Sequence, residues 1–484
     1  MIRVLGHSHA ACDGLRRREV LRLGGLSLLG MALPEVLRAE ATLPPLPGKG
    51  KAKSVILLYL FGGPAAQETF DPKREAPREV RGEFGSIPTS LPGVHFCEHL
   101  PRMAKWMDRS TLIRSGTHDQ NDHSAGMLYT MTGAPADKLE SLVPVLNTQA
   151  PSMNAMVEHL AREHRSTAPA SVWMPCVPGW GQKIVRPGPF AGWLGRKWDP
   201  LVTDVELQDT YEPKNFYDVR RQAAGRILVP GTQLPAEVTL DRFNTRRSLA
   251  EQLQVQTDRV GNSEAYARFD AHQKRALDIL ADNRSSNSAW RAFDLEDERP
   301  ALRDRYGRYL FGESALIARR LVERGTRFVT VYWESFDKTG GDPTAWDTHE
   351  DHFNICKNHR LPPLDQTYTA LCEDLQARGL LDETLVIVMG EMGRSPKING
   401  RAGRDHWSYV HNILLTGAGV KRGYVHGASD KKAERVTDKP VSPADFIATV
   451  YAAMGIDPEA FVEDAGGRLR PITPGGSAVK EVLA

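Results

Sequence analysis

The segment from Leu364 to Arg394, LDQTYTALCEDLQARGLLDETLVIVMGEMGR, constrains the fold more than any other. Leu364, Tyr368, Leu371 and Leu375 recur at helical spacing, and Gly379 follows where a left-handed residue closes such a helix. Residues 385–389, LVIVM, form an uninterrupted apolar run, as expected of a strand covered by helices on both faces. Glu391 falls just past that strand, where open α/β sheets place their ligand-binding groups. Asp347-Thr348-His349 lies upstream and Arg404-Asp405-His406-Trp407 downstream. Two Asp/His pairs and a strand-end carboxylate around one helix–strand unit point to a metal or oxyanion site.

Other segments extend the same alternation. Residues 54–61 read as a hydrophobic strand ending in Gly62-Gly63-Pro64, and 110–115 as a second strand. The second leads into His118, Asp122, His123 and Ser124, where a helix begins that Thr132-Gly133 closes. Residues 308–325 read as a helix feeding the strand 327–333, and 441–455 as a capped helix. The pattern predicts a doubly wound, mostly parallel α/β sheet. The stretch from about 136 to 300 reads as a helical or irregular insertion, with a Trp/Pro/Gly-rich surface segment from Val172 to Trp198. Within it Trp173, Trp180, Trp193 and Trp198 either stack on sugars or pin irregular backbone. A chain of 484 residues with 25% charged residues and a net charge of +2 gives no reason to expect nucleic-acid binding.

The N-terminus reads as an address. Arg16-Arg17-Arg18 precedes a short apolar stretch, and Ala39-Glu40-Ala41 offers a cleavage site, the order of an export signal. The paired arginines resemble a twin-arginine signal. We therefore expect a signal peptide over 1–41, a linker over 42–53, a main domain over 54–470 and a tail over 471–484. The export machinery is the implied partner, the location is periplasmic or secreted, and no stable membrane span remains after cleavage. Cys97, Cys176, Cys356 and Cys372 are widely spaced, which argues against zinc ribbons and disulfide scaffolds. Cys372 lies on the buried face of its helix, as a packed free thiol would.

Several segments together resemble the alkaline phosphatase and sulfatase superfamily. Asp347 and His349 resemble its earlier Asp/His pair, Glu391 its strand-end metal-binding Asp, and His406 its later metal-binding His. His123 to Gly133 resembles its nucleophile helix. A closer resemblance is to an exported bacterial sulfatase-like family of unknown function. It rests on Gly62-Gly63-Pro64, Phe70-Asp71-Pro72-Lys73, Glu79-Val80-Arg81-Gly82-Glu83-Phe84, the Asp347-Thr348-His349 motif and Gly403-Arg404-Asp405-His406-Trp407. The sequence departs from the active enzymes at four places. It has no Cys/Ser-x-Pro-x-Arg formylglycine signature, and His123 stands at the nucleophile's place with Ser124 one residue later. Gly62-Gly63 stands where relatives supply a metal-binding Asp, and Met392 replaces a metal-binding His.

The resemblance implies a divalent metal held by Asp347, His349, Glu391 and His406. Asp405 either joins them or orients His406. Nitrogen and oxygen donors suit zinc or manganese better than calcium. Ser124 is a candidate nucleophile with His118 or His123 as base, and a metal-bound water is an alternative attacker. Arg394 and Arg404 are candidates to clamp a sulfate or phosphate. The expected activity is hydrolysis of a sulfate or phosphate ester, on a small molecule or an extracellular polysaccharide. The rival expectation is a catalytically degenerate protein of the same fold that binds carbohydrate or anionic ligands.

Overall fold

The computed structural model describes residues 51–137, 143–161, 168–208, 223–229, 289–334 and 346–484. The signal segment 1–41 and the linker up to residue 50 lie outside the described residues. The strands Ser54–Tyr59 (β1), Ser110–Gly116 (β2), Ser171–Met174 (β3), Leu201–Val202 (β4), Phe328–Tyr332 (β5), Thr384–Met389 (β6), His411–Gly417 (β7) and Tyr424–His426 (β8) form one eight-stranded sheet. Their spatial order is β8-β2-β7-β6-β1-β5-β3-β4. β1 lies parallel to both β5 and β6, β3 parallel to both β5 and β4, and β8 parallel to β2. β7 runs antiparallel to β6 and to β2, so β2 and β6 point the same way.

Alternation along β1 and β6 divides the core into two layers. Ile56, Leu58, Val386 and Val388 face Leu316 and Leu321 of the helix Leu310–Glu323 and Leu364, Leu371 and Leu375 of the helix Leu361–Ala377. Val55, Leu57, Leu385 and Ile387 face the other side, against Met127, Met156, Ile447 and Val450. These last come from His123–Thr132 (α1), Met153–Leu160 (α2) and Pro443–Ala453. In chain order Leu310–Glu323 is then α3, Leu361–Ala377 α4 and Pro443–Ala453 α5. Helices on both faces leave no wet side to the central strands, which is why β1 and β6 are apolar at nearly every position. Each fully buried aliphatic side chain contributes about 1.5–3 kcal/mol by leaving water.

The expected doubly wound, mostly parallel sheet is thus present. α4 starts three residues before its apolar periodicity, with Pro362 and Pro363 in its first turn, where no amide donor is needed. Gly379 just beyond it adopts a positive φ of 72°. Residues 136–300 are more than an insertion, because β3 and β4 lie within them and complete one side of the sheet. Trp173 is in β3, wholly buried, with its ring centroid 5.5 Å from that of Tyr332. It is a core residue and not a sugar platform. Residues 471–484 also pack inward, Ile472 and Val482 joining the second core layer. Cys97, Cys176, Cys356 and Cys372 are free and buried. Among the described residues no helix is long and apolar enough to cross a membrane.

Candidate metal centre

β1, β2 and β6 all deliver their carboxyl ends to one place. β1 runs into Gly62, β6 into Glu391, and β2 through His118 into the N-terminus of α1. Asp122 caps that helix by accepting the amide N–H groups of Ser124 and Ala125, and this holds His123 at the pocket floor. Gly62 has a φ of +108°, and a Cβ there would lie 2.3 Å from the backbone nitrogen of Asp347. Its N–H donates to Glu391 Oε1 at 2.8 Å. The strand end that lacks a carboxylate is therefore closed by main chain.

Asp347 is the centre of the cluster. Its Oδ2 is 3.0 Å from His123 Nε2, and its Oδ1 is 2.9 Å from His349 Nε2 and 3.3 Å from His406 Nε2. Arg394 Nη2 also contacts Oδ1. Ligand atoms of His123, Asp347 and His406 lie within 4.8 Å of one another.

The outer hydrogen bonds fix the tautomers. His349 Nδ1 is 2.8 Å from Asp405 Oδ1, His123 Nδ1 is 2.7 Å from Glu391 Oε1, and His406 Nδ1 is 3.3 Å from the carbonyl oxygen of Asn121. All three outer partners are acceptors, so each Nδ1 carries the hydrogen and donates it. A neutral imidazole then has a bare Nε2. Three such nitrogens face the two oxygens of Asp347, and those of His349 and His406 are 3.1 Å apart. Lone pairs so arranged need a positive charge between them. Histidines that ligate metals commonly anchor their second nitrogen in this way. Tetrahedral zinc at about 2.0–2.1 Å from nitrogen would set its donors about 3.3 Å apart. The donor set therefore fits a divalent metal.

Without the ion, protons take its place. Burial works against a charged His123, yet Asp347 and Glu391 outweigh it and raise the group to about 10. His349 is raised chiefly by its hydrogen bond to Asp347, while burial holds His406 down. Burial would raise Asp347, but Arg394 and His123 hold it well below the usual carboxylate range. Metal uptake must displace these protons.

The remaining candidates occupy distinct places. Glu391 is fully buried, bonds His123 and Gly62, and keeps Oε2 without a hydrogen-bond partner among the described residues. Asp405 is bonded to His349 rather than to His406. Replacing Asp405 by Ala frees the His349 ring, and we expect metal affinity to fall about 10–100-fold in a competitive chelator titration. His118 donates from Nε2 to the carbonyl oxygen of Glu391 at 2.7 Å and accepts the Gln120 N–H at Nδ1, and burial lowers it to about 4.

Both arginines of the expected clamp are turned inward. Arg394 donates to the carbonyl oxygens of Gly62, Gly63 and Arg404 besides touching Asp347. Arg404 binds Glu68 Oε1 at 2.6 Å and the Val80 carbonyl oxygen at 2.7 Å. A different arginine reaches the expected nucleophile: Arg186 Nη1 donates to Ser124 Oγ at 2.7 Å, and its guanidinium lies 5.4 Å from the centre of the Phe61 ring. Its local sequence, Val185-Arg186-Pro187-Gly188, carries no signal that distinguishes it.

Fold and pocket together define a doubly wound α/β protein with a histidine-rich site, competent for a metal, at the carboxyl ends of its strands. The chain belongs to the family described as "Protein of unknown function (DUF1501)", whose model matches residues 52–483. No curated protein matches it. Among solved structures, Ps i-CgsB aligns at 13% identity over 85% of this chain and 73% of its own, with a TM-score of 0.39. A sulfatase, PsFucS1, from Pseudoalteromonas sp. aligns at 13% identity over 91% and 72%, with a TM-score of 0.37. A protein in the alkaline phosphatase superfamily from Vibrio parahaemolyticus aligns at 13% identity over 87% and 74%, with a TM-score of 0.33.

Proposed function

We propose that the protein is an exported, metal-dependent hydrolase of sulfate or phosphate esters. The observation that carries this reading is the convergence of three outward-anchored histidines on Asp347. Asp347, His349, His406 and His123 would hold one zinc or manganese ion. Such an ion supplies positive charge that polarises the ester and stabilises charge on the departing oxygen. Arg394 fixes Asp347 against the Gly62-Gly63 turn, and Asp405 orients His349. Ser124, at the N-terminus of α1, is the candidate attacking hydroxyl. Arg186 beside it is the group placed to hold an oxyanion of the substrate. The N-terminal sequence supports export through the twin-arginine route, and an extracellular polysaccharide ester is the first substrate to try.

The test begins with metal content. Elemental analysis of protein purified without chelators should give about one divalent ion per chain, lost in the His349→Ala, Glu391→Ala double variant. Aryl sulfate and aryl phosphate screens follow on the loaded protein. Replacing Arg186 by Gln removes one charge-assisted hydrogen bond, worth about 1.5–3 kcal/mol. We expect kcat/KM to fall about 10–100-fold at unchanged metal content. An absence of metal in the wild-type protein would sink the hydrolase reading.

A second reading, a binding protein of the same fold, is favoured by one observation. Main chain fills the place of the second metal's carboxylate at Gly62, and Met392 is wholly buried. Stoichiometric metal without turnover of any ester in the screen would favour it.

A further inference from the structure

A groove of about 560 Å³ lies at the opposite end of the sheet from the metal pocket. It is bounded by the 3-10 turn Met103–Arg109 and the C-terminal half of α4. The turn feeds directly into β2, whose other end leads to His118. Seven strand residues at about 3.3 Å each put the two places about 20 Å apart.

Its lining is strongly basic. Arg102, Lys105, Arg109 and Arg305 supply four cations against one carboxylate, Glu373. Glu373 is taken by Arg305 at 2.7 Å. Arg109 lies 4.8 Å over the Trp106 ring and donates to Gln376 Oε1 at 3.0 Å. Among the described residues no carboxylate forms an ion pair with the side chain of Arg102, Lys105 or Arg109. Asp365, nearby, is committed to the amide N–H groups of Arg102 and Met103. Four cations against one carboxylate in the lining make a surface that favours an anion.

We propose that this groove binds an anionic oligosaccharide. The volume is that of a small-molecule site and far exceeds a single inorganic ion. The cations match charged ring substituents, while Gln366, whose Nε2 donates to the Asp304 carbonyl oxygen, offers its Oε1 to a ring hydroxyl. The groove is independent of the metal pocket and gives a polymeric anion a second hold on the protein.

Titration calorimetry on the full chain tests this. The probes are a sulfated disaccharide, a short single-stranded oligonucleotide of equal charge, and inorganic sulfate. Each is titrated into wild type and into the Arg102→Gln, Lys105→Gln double variant. Both side chains are exposed, so the variant should keep its circular dichroism and metal content. The disaccharide should bind the wild type best of the three, and about 10-fold more weakly in the variant. Equal affinity in both proteins overturns the proposal. Preference for the oligonucleotide, or inorganic sulfate binding as tightly as the sugar, overturns it as well.

Discussion

Replacing Asp347 by Asn is expected to strip the divalent ion and to destabilise the fold at the same time. All three imidazole Nε2 atoms converge on this one carboxylate, so the substitution removes the centre of the donor set. Loss of a group that merely orients a ligand costs up to about 100-fold in metal affinity, and loss of the ligand itself should cost at least that. The same change deprives Arg394, wholly enclosed, of its counter-charge. Breaking one side of a buried ion pair costs about 3–5 kcal/mol. Elemental analysis reads the first effect and urea denaturation of the metal-free proteins the second. Metal retained at wild-type affinity would show that Asp347 is a structural partner of Arg394 and no ligand. The proton balance gives a further handle. Because Asp347 and Glu391 hold a proton on His123 up to about 10 against the effect of burial, metal affinity in the wild type should climb as pH rises through neutrality.

Arg404→Met should unfold the protein about as readily, for a reason unrelated to chemistry at the metal. Arg404 and Glu68 are both buried, and Glu68 also bonds His352 Nε2 at 3.1 Å. Removing the guanidinium leaves Glu68 enclosed without its main partner, at a cost of about 3–5 kcal/mol. The sign of the pH dependence follows from the shift. Burial alone would raise the Glu68 pKa, but Arg404 and His352 bring it below the ordinary carboxylate value. In the wild type the pair's contribution is complete above the unfolded pKa and is lost as pH falls through the lower folded value. In the variant, acid relieves the unpaired carboxylate. The stability gap between the two proteins should therefore be widest at neutral pH and shrink towards pH 4. A gap independent of pH would mean that the methionine disturbs packing and not charge.

The sheet was legible in the sequence because β1 and β6 are apolar at all but their first residue and β5 at all but Thr330. Two-sided burial leaves that mark and no other. β3 escaped because four residues, Ser171–Met174, are too few to show a pattern, and the Pro/Gly-rich segment after them read as surface. The pocket residues Asp347, His349 and His406 were legible through short motifs, and the family resemblance singled out Glu391. Where they point was not. Asp405 is next to His406 in the chain yet bonds His349, whose ring lies against both of them. Arg394 and Arg404 showed as cations, but their partners, Gly62 and Glu68, lie more than three hundred residues away in sequence. Arg186 and Ser124 are 62 residues apart, and only the folded chain brings them together.

Gly62 limits what this pocket can be turned into. The position tolerates no side chain because the main chain at Trp346 and Asp347 occupies the space a Cβ would need. The same backbone placement sets Asp347 3.0 Å from His123 Nε2. A mutant that regains a carboxylate at residue 62 meets a blocked backbone before it meets a metal. Any variant built to carry a carboxylate there must first retract the 346–347 segment, and with it Asp347, so a second acidic ligand at residue 62 and the existing cluster exclude each other.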